Sequence, residues 1–132
     1  MAKEYETKKH IKFIEIHVTC PNINTAEKIA NTLVNNKYAA CVQIMSMWKS
    51  VYLWNGKIEK NDEILLIIKT RSRYFNKIGK AIKEIHPYTI PEIIALPIIK
   101  ANEDYIRWID ESLGLKTIDF ENDKSVKVKK AK

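Results

Sequence analysis

The residues from Ile11 to Val18 have the pattern of a β-strand, with apolar Ile14, Ile16 and Val18 on one side and the mixed set Phe13, Glu15 and His17 on the other. The apolar spacing then changes to three and four residues, which predicts an amphipathic helix ending at Asn35-Asn36. Asn24, with Glu27 three residues later, predicts a capping box at the start of this helix. The chain therefore begins with a strand followed by a helix.

The next segment predicts one long β-hairpin. A β-type pattern extends from Ala39 to Trp54, turns at Asn55-Gly56 and returns to about Thr70. A first strand of sixteen residues spans about 50 Å, about twice the width of a domain of this size, so the hairpin must bend or protrude. A type I′ turn predicts the opposed pairs Leu53–Ile58 and Tyr52–Glu59.

The residues after the hairpin predict a helix, a short strand and a further helix. The second helix begins near Ser72 and ends at His86-Pro87. A strand around Glu92 to Ile99 precedes a third helix, which Asn102 can cap and Gly114 ends. Apolar stripes mark the buried sides of these helices, formed by Tyr74, Phe75, Ile78, Ile82 and Ile85 in the second helix and by Tyr105, Ile106, Ile109 and Leu113 in the third.

The order β-α-β-β-α-β plus a C-terminal helix predicts an α+β fold of the ferredoxin-like split βαβ type. Both alternating sides of the segment from Ile64 to Ile68 are aliphatic, so we expect the sheet to be buried on both faces. The two main helices cover only one face, and the hairpin carries Trp48, Tyr52, Leu53 and Trp54. A monomer would expose this apolar surface, which predicts an obligate oligomer.

Composition and charge indicate one domain with two polar ends. The chain has 132 residues, 45% of them hydrophobic and 30% charged, which is typical of a globular domain. We expect a polar N-terminal tail at 1–10, a folded domain at 11–118 and a lysine-rich tail at 119–132. Residues 1–12 and 119–132 each carry a charge of +2, leaving +3 of the total +7 for the domain. Nonspecific attraction of the C-terminal tail to polyanions is an alternative to a purely solubilising role.

The sequence also predicts the location of the protein and the classes of partner that it lacks. No signal-like apolar run begins the chain, and no apolar segment approaches the length of a membrane span. The aliphatic central strand lacks the exposed aromatics with which ferredoxin-like RNA-binding modules stack bases. Cys20 and Cys41 fall on separate predicted strands, so we expect reduced thiols. We expect a cytoplasmic protein with no membrane or nucleic-acid partner.

Four ordered motifs carry a family resemblance. They are Ala39-Ala40-Cys41-Val42, Tyr52-x-Trp54-x-Gly56-Lys57-Ile58-Glu59, Leu66-Ile67-Ile68-Lys69-Thr70 and the proline-rich run from His86 to Pro97. Over residues 12–113 the sequence resembles the CutA divalent-cation tolerance family. The resemblance implies a homotrimer with intertwined hairpins and a part in tolerance of copper and other divalent cations, either by binding the metal or by sensing it.

The resemblance points to a copper or other divalent-cation site that this chain keeps only in part. Bacterial members of the family are assigned copper on a cysteine near the end of the first strand and two adjacent histidines before Pro-Tyr. The matching positions here hold Val18, Ile85 and His86, so only one ligand is present. Cys20, two residues further on, is a candidate for the soft thiolate. The alternative for His86 is a helix-ending histidine hydrogen-bonded to a carbonyl.

A second candidate site is a ligand cleft between subunits. Glu92 lies in an apolar strand and needs a partner, for which Lys69 is the obvious candidate; a structural ion pair is the alternative. Arg71 and Arg73 could join Lys69 in binding an anion near the second helix, although a solvated basic turn is the simpler interpretation. The cleft or ligand residues we predict are Cys41, Tyr52, Trp54, Lys69, Tyr88 and Glu92, with Cys41 as a small core residue the alternative.

Two functions follow from these candidates. The first is divalent-cation tolerance by a metal-binding or metal-sensing trimer. The second is a signalling or scaffolding trimer resembling the PII proteins, which binds a small metabolite in its intersubunit clefts. The sequence has no nucleophile elbow, phosphate-binding glycine loop or H-E-x-x-H motif, so we expect no enzyme activity.

Overall fold

The computed structural model describes residues 12–116, and the predicted tails at 1–10 and 119–132 lie outside this range. The described part has four strands and three α-helices in the predicted order. They are β1 (Phe13–Cys20), α1 (Ile23–Asn35), β2 (Cys41–Trp54), β3 (Lys57–Arg71), α2 (Phe75–Ile85), β4 (Ile94–Pro97) and α3 (Glu103–Ser112). The strands form one antiparallel sheet in the order β2-β3-β1-β4.

The main core lies between one face of the sheet and the helices α1 and α2. Alternate residues of the two central strands point into it, and the apolar stripes of the helices close over them. Its fully buried side chains include Ile16 and Val18 of β1, Leu66 and Ile68 of β3, Ile29 and Leu33 of α1, and Ile78 and Ile82 of α2.

Within residues 12–116, the opposite face of the sheet is covered only at one end, by α3. Phe13 and Ala40 pack there against Ile106, Ile109 and Leu113. The remainder of this face is open, and its partly exposed apolar residues include Met45, Ile94 and Leu96. These three oppose Leu65, His17 and Glu15 in the strand register and therefore share their face.

A β-bulge changes the phase of β2 halfway along the hairpin. Met45 opposes Leu65 and the next aligned pair is Trp48 with Glu63, so Ser46 and Met47 together oppose a single residue of β3. Met47 has a left-handed backbone with φ of 63°. Because of the extra residue, Trp48, Tyr52 and Trp54 lie on the same face as Met45 instead of the opposite one.

The predicted turn and its register are confirmed. Asn55 and Gly56 both have positive φ values, 50° and 77°, and the pairs Tyr52–Glu59 and Leu53–Ile58 form as expected. The far half of the hairpin is exposed on both sides, with Leu53 70% and Ile58 71% exposed on one side and Trp54 46% exposed on the other. The hairpin therefore presents apolar surface that nothing in the described part of the chain covers.

Several element ends differ from the sequence expectations. The cap of α1 is Asn22, whose Oδ1 accepts from the Thr25 amide at 2.8 Å, so the Asn24–Glu27 capping box is wrong. Pro21 explains the earlier start, since it ends β1 directly before an extended Asn22. Asn102 precedes α3 as predicted, but its side chain makes no capping bond. Within residues 12–116, no helix is both long and apolar enough to cross a membrane.

Candidate functional site

A cleft of about 770 Å³ lies beside the exposed part of the hairpin, within the size range of small-molecule sites. Its walls come from the end of β1, the two hairpin strands and the loop that joins α2 to β4. The lining residues are Thr19, Lys49, Ser50, Val51, Tyr52, Trp54, Glu59, Glu63, Pro87, Tyr88, Thr89, Ile90 and Glu92. Four of the predicted cleft residues, Tyr52, Trp54, Tyr88 and Glu92, are therefore brought together.

The β-bulge and the end of α2 position the aromatic walls. The phase change in β2 directs Tyr52 and Trp54 to the face where Glu59 lies on β3. On the other side, Tyr88 is held by its amide, which donates to Nδ1 of His86 at 3.1 Å, and by its ring, 4.7 Å from the His86 ring. The loop with its fixed Pro87 thus presents the Tyr88 ring to the hairpin.

His86 is buried and both of its ring nitrogens are bonded. Nδ1 accepts from the Tyr88 amide, so Nε2 carries the proton and donates to the Thr19 carbonyl at 2.7 Å. This arrangement fits the neutral imidazole and joins the loop after α2 to the end of β1. Binding of a metal by His86 within one subunit would require the ring to give up one of these two bonds.

Glu63 is the most deeply buried of the cleft glutamates, and it was not among the residues predicted from the sequence. It is 5% exposed, and its Oε2 accepts from the Tyr88 hydroxyl at 3.2 Å. Burial, helped by the nearby Glu63 carboxylate, raises the pKa of Tyr88 to about 12, so the hydroxyl stays protonated and keeps donating near neutral pH. One signal was available, because Glu63 shares a strand face with the buried Leu65.

Cys20 is fully buried at the end of β1. Burial, followed by the charge of Glu63, raises the pKa of its thiol to about 11, which disfavours the thiolate that a metal requires. Within residues 12–116 of one subunit, no group of three or more His, Cys, Asp or Glu side chains is placed to hold a metal ion. Metal binding by His86 and Cys20 stays a prediction that needs further ligands or a rearrangement.

Cys41 and Lys69 lie together, but away from the cleft. They oppose each other across β2 and β3, near the end of the sheet that α3 covers. The Lys69 ammonium donates to the Gln43 side chain at 2.8 Å, and the Cys41 sulfur lies 3.7 Å from the Tyr105 hydroxyl. Burial and the Cys41 contact raise the pKa of Tyr105 to about 12.

Two charge arrangements considered from the sequence do not form within the described part of a single subunit. Glu92 is exposed beside the cleft and forms no ion pair within the described residues, since Lys69 bonds to Gln43 instead. Arg71 is not available to an anion, because its guanidinium makes two bonds of 2.7 and 2.8 Å to Asp110 of α3. This ion pair is buried and joins the end of β3 to α3.

Comparisons with known proteins agree with this fold. A family model described as CutA1 divalent ion tolerance protein matches residues 14–112. The divalent-cation tolerance protein CutA of Thermus thermophilus is 41% identical over 97 residues, which are 74% of this chain and 94% of that protein. Human protein CutA is 40% identical over 92 residues, 70% of this chain, and the chain spans about half (51%) of its length.

Solved structures show the same architecture. The Thermus thermophilus Cut A1 structure superposes with a TM-score of 0.74 at 39% identity, covering 76% of this chain and 97% of that one. CutA1 from Oryza sativa gives 0.75 at 39% identity, covering 78% and 94%. The ferredoxin-like fold is thus confirmed, and the chain belongs to the CutA1 divalent ion tolerance family.

Proposed function

We propose that this protein contributes to tolerance of divalent cations, copper among them, as a cytoplasmic homotrimer that responds to a ligand in the cleft beside the hairpin. Membership of a family named for divalent ion tolerance supports the general function. The observation that carries the site is the cleft itself, where Tyr52, Trp54, Tyr88 and Glu92 meet. We infer that the protein acts without catalysing a reaction, since its sequence has none of the enzyme motifs considered above.

The open half of the sheet supports the homotrimer. Within residues 12–116, Met45, Ile94 and Leu96 lie on the part of this sheet face that α3 leaves uncovered, and the far half of the hairpin exposes Leu53 and Ile58. Apolar surface of this kind is stabilised when a second copy buries it. Light scattering of the purified protein at micromolar concentration tests assembly. We expect three times the mass of the chain, and a monomer would contradict the proposal.

The geometry favours the cleft over a His86–Cys20 metal centre as the route to tolerance. His86 already makes two hydrogen bonds, and the Cys20 thiol resists deprotonation. Calorimetric titration with copper under reducing, oxygen-free conditions separates the two routes. Stoichiometric copper binding that is lost in His86→Ala would establish the metal centre. Weak copper binding, equal in the wild type and His86→Ala, is the result we expect.

Growth of a copper-sensitive host tests the cellular function. We expect expression of the protein to raise the copper concentration at which growth stops, compared with the empty vector. Equal copper sensitivity with and without the protein, at confirmed expression and with a trimer present, would contradict the proposal. The same assay with zinc and cobalt measures how far the response extends beyond copper.

A second candidate is a signalling or scaffolding trimer that resembles the PII proteins and binds a small metabolite. The cleft volume of about 770 Å³, large enough for a metabolite, favours this alternative. Under it, a metabolite that stabilises the trimer should not change copper tolerance. The two functions therefore differ in whether substitutions in the cleft alter growth on copper.

A further inference from the structure

This inference rests on the proposed ligand cleft and names the class of its ligand. We propose that the cleft binds an organic cation, a small molecule whose ammonium or guanidinium groups meet carboxylates and aromatic faces together. The cleft is lined by three glutamates and three aromatic residues, which are Glu59, Glu63, Glu92, Tyr52, Trp54 and Tyr88.

The charge of the cleft is opposite to that of the chain. Among the described residues that line the cleft, Lys49 is the one basic residue, and its ammonium donates to Asp62 at 2.9 Å. The lining therefore has more carboxylates than ammonium groups, whereas the whole chain carries a net charge of +7. A protein with a positive net charge does not concentrate cations over its whole surface. Saturable binding of an organic cation would therefore have to come from a local site.

Glu63 gives an independent indication of a cationic ligand. This residue is 5% exposed, yet among the residues that the structure describes only its Oε2 finds a hydrogen-bond partner, the Tyr88 hydroxyl. The other carboxylate oxygen, Oε1, has no hydrogen-bond partner within the described residues. Every fully buried side-chain oxygen or nitrogen atom there does have a partner, so Oε1 must be accessible from outside. A carboxylate so nearly buried is stabilised when a charged donor approaches its remaining oxygen. The cleft is the place from which such a donor can reach it.

The aromatic rings favour an organic cation over a metal ion. Tyr52 accepts a hydrogen bond from the Asn61 side-chain amide, and Tyr88 donates to Glu63, so both hydroxyls have partners in the subunit. The ring faces of Tyr52, Trp54 and Tyr88 can attract an ammonium or guanidinium group through cation–π contacts. The carboxylates do not form a metal cluster within the described residues of one subunit.

Calorimetry with spermidine, a trication at neutral pH, tests the proposal on the assembled full-length protein. We expect saturable binding of one spermidine per subunit. The uncharged 1,8-octanediol, similar in length, should give no heat of binding. Glu63→Gln should weaken spermidine binding about tenfold or more, since a charge-assisted hydrogen bond is lost.

Matched variants control for general loss of charge and of aromatic surface. Trp54→Leu should weaken spermidine binding about fivefold, the size of one cation–π contact, whereas Trp54→Phe should retain most of it. Trp108→Leu removes a similarly exposed tryptophan from α3, and Glu27→Gln removes an exposed carboxylate from α1. Both controls should bind spermidine as the wild type does, and light scattering should show that every variant keeps the wild-type mass.

Three results would overturn the proposal. The first is no spermidine binding by a correctly assembled protein. The second is equal weakening by Glu63→Gln and Glu27→Gln, which would mean nonspecific charge attraction. The third is displacement of spermidine by stoichiometric Mg²⁺, which would assign the carboxylates to a metal ion. None of these results would contradict the proposed role in copper tolerance, which the growth assay measures separately.

Discussion

Removal of the Asp110 carboxylate should destabilise the fold strongly. The guanidinium of Arg71 makes two short bonds to this carboxylate and lies 4.6 Å from the centre of the Phe13 ring. Asp110 is fully buried and Arg71 is 8% exposed, so water cannot replace the lost partner. Deleting one member of a buried ion pair leaves an uncompensated charge, and we expect Asp110→Ala to lower the free energy of unfolding by about 3–5 kcal/mol.

Urea unfolding followed by circular dichroism measures this loss. The protein concentration must be the same for all variants, because the stability of an oligomer depends on it. Asp104→Asn is the control on the same helix, since that side chain is 95% exposed and lies 3.7 Å from Arg107. We expect this control to lose less than about 1 kcal/mol.

The double variant Arg71→Met/Asp110→Leu separates charge from packing. If the loss in Asp110→Ala comes from the stranded guanidinium, replacing both partners by apolar residues should recover most of the stability. An Asp110→Ala variant that loses less than about 1 kcal/mol would refute the reasoning. A double variant less stable than Asp110→Ala would also refute it.

Three further predictions concern thiols, pH and the bulge. A thiol reagent at pH 8 should modify Cys41 well before Cys20, because burial raises the pKa of Cys20 to about 11; equal rates would contradict this. Tyr88 and Tyr105 keep their protons to about pH 12 when folded but lose them near pH 10 when unfolded, so stability should fall between these values. Tyr88→Phe should make that fall shallower in pH-dependent urea unfolding, and an unchanged slope would contradict it. Met47 has a φ of 63°, which a β-branched residue adopts only with strain. Met47→Val should therefore lower the free energy of unfolding by about 1 kcal/mol or more, whereas Met47→Gly should not. Equal losses of stability for the two variants in urea unfolding would contradict the assigned bulge.

Local signals were enough to predict the order of elements and the turn of the hairpin. Asn55-Gly56 fixes both the turn and the pairing of Tyr52 with Glu59, because two residues with positive φ admit only one register. The bulge at Met47 was not predictable, since the segment has no glycine and reads as one continuous strand. Its effect is large, because one inserted residue moves Tyr52 and Trp54 to the other face.

The cleft residues that lie in a local sequence motif were predictable, whereas those whose role depends on contacts between distant segments were not. Tyr88 and Glu92 were predicted from the proline-rich run, and they do line the cleft. The burial of Glu63 was not predicted, because the preceding segment from Lys57 is rich in charged residues, which is typical of a solvent-exposed strand. The hydrogen-bond partner of Glu63, the Tyr88 hydroxyl, is 25 residues away along the chain. The Lys69–Glu92 pair does not form within the described residues of one subunit, because the Lys69 ammonium donates to Gln43 on the neighbouring strand. The sequence alone does not reveal this competing partner.

The role of the cleft in cation tolerance can be measured directly with one matched pair of variants. A copper-sensitive host would express the wild type, Glu63→Gln or Glu27→Gln at equal levels, with the mass of each protein confirmed by light scattering. We expect the wild type and Glu27→Gln to protect growth on copper, whereas Glu63→Gln should lose most of the protection. Full protection by Glu63→Gln would show that tolerance does not depend on the cleft.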